Sequence, residues 1–151
     1  MADLHPRLAA DTYSLGRFPL SRLLLMNDRT YPWFILVPDR EGVSEIQDLS
    51  QEDQIALIRE SSLLSRAIRA TLHPTRINVA ALGNMVPQLH VHHIARFEDD
   101  PAWPGPVWGF GPAIPYLIPE VRSRIQPLAA RLGEDFVLDP QWRAMKVAGV
   151  R

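Results

Sequence analysis

The sequence contains no cysteine. That excludes disulfides, thiolate metal sites and a cysteine nucleophile. It also lacks any apolar run near the ~18 residues that a membrane span requires. An excess of one charge is missing too. Sixteen Lys and Arg stand against seventeen Asp and Glu, for a formal net charge of −1. Nothing in that balance attracts nucleic acid or an acidic membrane. The opening residues, Met1-Ala2-Asp3-Leu4-His5-Pro6, show neither a basic region nor an apolar signal core. A soluble cytoplasmic protein is the expectation.

What is present suits a single domain. The chain has 151 residues, 46% of them hydrophobic, enough for a real core. There is no internal repeat. Residues 5–12 read as a short helix and Tyr13–Arg17 as a loop entering a strand. Leu20–Met26 and Tyr31–Val37 are apolar strands flanking the turn signal Asn27-Asp28-Arg29-Thr30, which predicts a β-hairpin. Ser50 is a good N-cap for one long helix, with Asp53 three residues on. Leu57, Ser61, Leu64, Ile68 and Leu72 then recur at helical spacing, and His73-Pro74 ends the helix. Arg76–Leu82 is a further strand, with Gly83-Asn84 as the turn into the next. Residues 97–119 hold six prolines, too many for a helix or a central strand, so an ordered loop is expected. A last helix is expected over Glu120–Leu132, and an extended tail from Asp135 to Arg151.

The chemistry concentrates in Gln88-Leu89-His90-Val91-His92-His93-Ile94-Ala95-Arg96. Three of the five histidines fall there. Strand alternation puts Gln88, His90, His92 and Ile94 on one face and Leu89, Val91, His93 and Ala95 on the other. Two imidazoles at i and i+2 lie roughly 6–7 Å apart at the backbone, so both can enter one site. Surface or core histidines are the plain reading of such residues. A metal site is the sharper rival, but His93 faces away from the other two, and a bulge would be needed to bring it round.

The run Gly83-Asn84-Met85-Val86-Pro87-Gln88-Leu89-His90-Val91-His92-His93-Ile94-Ala95-Arg96 resembles the histidine-triad (HIT) superfamily. That motif is His-φ-His-φ-His-φ-φ, with φ apolar, after a Gly–polar element. Gln88 stands at its first histidine, His90 at the central one and His92 at the last. His93 takes an apolar position. The resemblance spans about residues 10–105. It implies an α+β, HIT-like fold: an antiparallel sheet of about five strands with one long helix packed on it. A C-terminal helical extension would be added. The division would be a HIT-like domain over 1–105 and a Pro/Gly/Trp-rich loop with helical extension over 106–151, packed on the same domain.

The resemblance also implies roles. His90 would be the nucleophile, attacking an α-phosphate to give a covalent phosphohistidine. His92 would stabilise the phosphate in the transition state, and Gln88 would supply an amide donor beside it. Asn27, at the end of the first hairpin strand, would bind ribose. Asn84 would touch the phosphates. From its position past the histidines, and not from the resemblance, Arg96 is either a contact to a distal phosphate or a plain surface arginine. Trp33 stands where the family often has a further histidine, so that contact would be missing. No metal or other cofactor is implied. The implied substrate is a dinucleoside polyphosphate such as diadenosine tetraphosphate, or a nucleoside phosphoramidate, and the implied assembly is a homodimer. Two alternatives stay open: a nucleotide-binding module with vestigial catalysis, and a metal-dependent hydrolase using His90, His92 and His93.

Overall fold

A computed structural model describes residues 2–143. Helix α1 (Pro6–Asp11) leads into β1 (Thr12–Arg17), β2 (Ser21–Met26) and β3 (Trp33–Pro38). The long helix α2 (Gln51–Leu72) follows, then β4 (Arg76–Ala81) and β5 (Val91–Arg96). Helix α3 (Ile118–Ala129) and a two-residue strand β6 (Val137–Leu138) come next, and short 3-10 helices lie at Ile46–Asp48 and Pro140–Trp142. The strands form one sheet in the order β4-β5-β3-β2-β1-β6. Every pairing in it is antiparallel. The fold is α+β.

Alternation along the central strands divides the core into two layers. In β3, Phe34 and Leu36 enter the layer shared with α2 and α3, beside Leu57, Leu64, Ile68, Val121 and Ile125. Trp33, Ile35 and Val37 enter the opposite layer, under Leu8, Val86, Ala102 and Val107. All six residues of β3 are therefore buried. The same alternation in β5 sends Val91 and Ala95 toward the helices and Ile94 to the other layer. The second face is covered by α1 and the Pro-rich segment rather than by a long helix. Helix α2 begins as its sequence predicts. The Ser50 hydroxyl accepts the Asp53 N–H at 3.1 Å. It ends at His73, whose φ of 51° is left-handed and whose N–H donates to the Arg69 carbonyl.

Three expectations are corrected. Tyr13–Arg17 is not a loop but most of β1. The sheet has six strands, not five, because part of the expected tail pairs as β6 along Gly16 and Arg17. A Cβ on Gly16 would collide with the Val137 carbonyl and the Phe136 ring, so glycine permits that close approach. Trp142, just beyond, is buried and donates its indole N–H to the Ser14 carbonyl at 2.6 Å. The remainder of the predicted tail, 144–151, lies outside the described residues. Finally, β4 and β5 are not joined by a tight turn. The loop 82–90 separates them, so Gln88 and His90 precede the strand.

Candidate active site

Strand β5 sets out its two histidines by alternation alone. His93 faces the helices. Its Nδ1 lies 3.0 Å from the Val91 carbonyl and its Nε2 2.7 Å from the Ser61 hydroxyl of α2. A carbonyl only accepts, so Nδ1 carries the proton and Nε2 accepts from Ser61. Burial holds this imidazole down to a pKa of about 4, so it is neutral at pH 7. The ring is a satisfied core group, as strand alternation predicts.

His92 points to the other face. Ile35 is its partner in the β3 register, and Trp33 is two residues along on the same face. The Trp33 indole N–H donates to His92 Nδ1 at 2.9 Å. Indole is a donor only, so His92 Nδ1 must be bare and its proton must sit on Nε2. Burial first, then the neighbouring His90 and His93, holds His92 down to a pKa of about 3. It is therefore a neutral hydrogen-bond donor through Nε2. Trp33, standing where the family often has a further histidine, thus holds His92 through its indole N–H.

His90, at the end of the loop, stands beside it. The two imidazole centroids are 4.9 Å apart and the rings cross at 72°. His90 Nδ1 donates to the Gln88 carbonyl at 2.7 Å. That bond fixes the opposite tautomer: Nε2 of His90 carries the lone pair. Trp108, from the Pro-rich segment, closes the group with its ring edge-on to His92 at 5.1 Å and to Trp33 at 5.7 Å. Both histidines line a cavity of about 330 Å³. Arg7, Leu8 and Asp11 of α1 form one wall, and Met26, Asn84 and Val86 contribute others.

The expected site residues divide accordingly. His90, His92 and Asn84 share the cavity. Gln88 does not line it. Its side chain is bound to the N-terminal segment, accepting from the His5 N–H at 2.8 Å and donating to the Asp3 carbonyl at 3.1 Å. Only its backbone carbonyl serves His90. Arg96 is 1% exposed, and four of its N–H groups are taken. Two go to the Asp100 carboxylate, one to Asn78 and one to the Gly105 carbonyl. It braces the loop after β5 and is not placed for a distal phosphate. Asn27 accepts the Tyr116 N–H at 2.8 Å and lies outside the cavity lining. Among the described residues, no group of three or more His, Asp or Glu side chains could hold a metal ion. Trp33, Trp108, Arg7 and Asp11 were not expected here. The signal for Trp33 was its position two residues from the partner of His92, with an N–H at its tip.

A family model described as HIT domain matches residues 7–99. The chain belongs to the HIT family. Its fold is shared with solved histidine triad proteins. One from Marinobacter aquaeolei is 52% identical, with a TM-score of 0.83 over 88% of this chain and 99% of that one. One from Bradyrhizobium japonicum is 44% identical, with a TM-score of 0.85 over 87% and 98%. One from Sinorhizobium meliloti is 43% identical, with a TM-score of 0.84 over 85% and 96%. No curated protein matches the chain. Within this HIT domain, the paired histidines have complementary tautomers: one bare Nε2 and one Nε2–H, side by side in a cavity.

Proposed function

We propose that this HIT protein is a nucleotidyl hydrolase or transferase that works through His90. The observation that carries the reading is the bond from His90 Nδ1 to the Gln88 carbonyl, which leaves Nε2 free as a nucleophile. Nε2 attacks the α-phosphorus. A P–N bond forms as the bond from phosphorus to the leaving oxygen or nitrogen breaks. The positive charge gained by the ring is shared through Nδ1–H with the carbonyl. Water then attacks phosphorus, the P–N bond breaks, and its electron pair returns to Nε2. His92 Nε2–H donates to a phosphate oxygen where charge grows, or to an amine leaving group that needs a proton. The Asn84 amide is a further phosphate donor. The cavity is near the lower end of the roughly 300–1,000 Å³ usual for small-molecule sites, which suits one nucleoside monophosphate unit.

Dinucleoside polyphosphates and nucleoside phosphoramidates both fit this chemistry. The test is incubation with diadenosine tetraphosphate and with adenosine 5′-phosphoramidate in ¹⁸O-labelled water. AMP carrying one ¹⁸O on phosphorus is the expected product. The commitment of the Gln88 amide to Asp3 and His5 favours one rival, a nucleotide-binding module with weak catalysis. AMP binding without AMP release from either substrate would decide for that rival.

We also propose a homodimer. Strand β4 is a sheet edge, and Val79 on it is 51% exposed. An open edge of this kind can pair with its own copy about a two-fold axis. Sedimentation velocity should then return twice the chain mass of 17.1 kDa. A species of single mass at micromolar concentration would refute the dimer.

A further inference from the structure

A phosphate chain needs positive charge, and the arginine expected to supply it is buried elsewhere. Among the described residues lining the cavity there is one arginine, Arg7 of α1. Its placement is controlled from both ends of the helix. At the entry, the Gln88 side chain holds the His5 N–H and the Asp3 carbonyl, while the Gln88 backbone carbonyl holds the His90 ring. One residue thus ties the start of α1 to the reacting imidazole. The Arg7 N–H in turn donates to His5 Nδ1 at 3.1 Å. At the exit, the Asn27 N–H donates to the Asp11 carbonyl at 2.9 Å, fixing α1 against the end of β2. Leu8 between them is buried in the second core layer. The Arg7 backbone therefore joins the start of α1 that Gln88 anchors, and its side chain runs along the cavity wall to Asp11 one turn on.

The guanidinium is available. It meets Asp11 at 3.7 Å, and both side chains are 53% exposed. Such an i,i+4 pair in solvent contributes little and is readily exchanged for a better partner. A phosphate is that partner, because the planar fork of arginine can donate two hydrogen bonds to its oxygens. We propose that Arg7 is a specificity-determining residue of this site, taking up the negative charge of the substrate's phosphate; the proposal rests on the nucleotide reading above. It also gives Gln88 a positioning task, since its amide anchors the helix that presents Arg7.

The test measures binding of AMP and of adenosine by quenching of tryptophan fluorescence, with Trp108 in the cavity wall and Trp33 behind it. Arg7→Gln should weaken AMP about 10-fold or more, the scale of a lost charge-assisted hydrogen bond. It should leave adenosine unchanged. Arg7→Lys should fall between, and added salt should weaken AMP less in Arg7→Gln than in the wild type. Matched thermal melts guard against a disturbed helix. If wild type binds AMP and Arg7→Gln binds it as tightly, or loses adenosine equally, the assignment of Arg7 is wrong and the nucleotide reading stands. If wild type binds neither ligand, the nucleotide reading itself fails, and Arg7 with it.

Discussion

His90→Asn is expected to lower turnover by several powers of ten while nucleotide binding persists, as for loss of a covalent nucleophile. The argument rests on the tautomer pair. His90 offers a bare Nε2 because the Gln88 carbonyl holds its Nδ1 proton, and asparagine has no nucleophilic nitrogen to put there. His92 has the reverse arrangement, held by the Trp33 indole, so its loss removes a donor and not the attacking atom. His92→Asn should cost less, about 10²–10³ in kcat, the range for one donor to a developing oxyanion. Trp33→Phe keeps an aromatic side chain but removes the indole N–H together with the five-membered ring that carries it. The His92 proton is then free to move to Nδ1, and kcat should fall while KM barely changes. The ¹⁵N shifts of His92 should show mixed tautomers in that variant. Quenched wild-type enzyme should carry labelled nucleotide on a peptide containing His90, through a bond labile to acid and stable to base. Near wild-type turnover in His90→Asn would overturn the assignment of the whole site.

The parts of this site legible in the sequence are those governed by strand periodicity. Within Val91–Arg96 the rule of alternation holds, so His92 and His93 separate to opposite faces as expected. The rule has no force outside a strand. Gln88 lies in the loop before β5, and its side chain goes to the backbone of Asp3 and His5, more than eighty positions away. Arg96 is in the strand, but its partners lie in the loop beyond and on β4. A guanidinium surrounded by Asp100, Asn78 and a carbonyl is held where it is, whatever its spacing from the histidines suggests. Asn27 was placed correctly at the end of a strand, but the Tyr116 N–H it satisfies is 89 residues on. Local pattern cannot announce such a partner. The same is true of β6, two residues long, which exists only because Gly16 leaves room for it. The long helix was legible because its cap and stripe are both local.

The two neutral imidazoles should also make the folded state sensitive to acid. In the unfolded chain each histidine titrates near 6.5, whereas in the folded protein His93 is held to about 4 and His92 to about 3. As pH falls below 6.5, the unfolded chain takes up protons that the folded protein refuses. Stability is therefore fully present above pH 6.5 and declines as pH drops toward 4. Among the described residues, the hydrogen-bond partners of His93 are the Ser61 hydroxyl and the Val91 carbonyl, neither of them a carboxylate that would accept its charge. Its depression corresponds to roughly 3 kcal/mol lost by pH 4, and His92 adds a loss of similar order. That is a large share of the about 5–15 kcal/mol typical of a domain. Two carboxylates bear on the same curve. Asp100 is lowered, chiefly by its hydrogen bonds from Arg96, so its contribution is lost only below the usual aspartate range. Glu60 is raised by burial, which opposes the imidazoles and makes the decline shallower. Urea unfolding of the ligand-free protein at pH 7.5, 6, 5 and 4 should show the midpoint falling through this window. His93→Gln can still accept from Ser61 and donate to Val91 without a titrating ring. It should start less stable at pH 7.5 and then decline less steeply. An unchanged slope in that variant would show that the acid sensitivity has another source than His93.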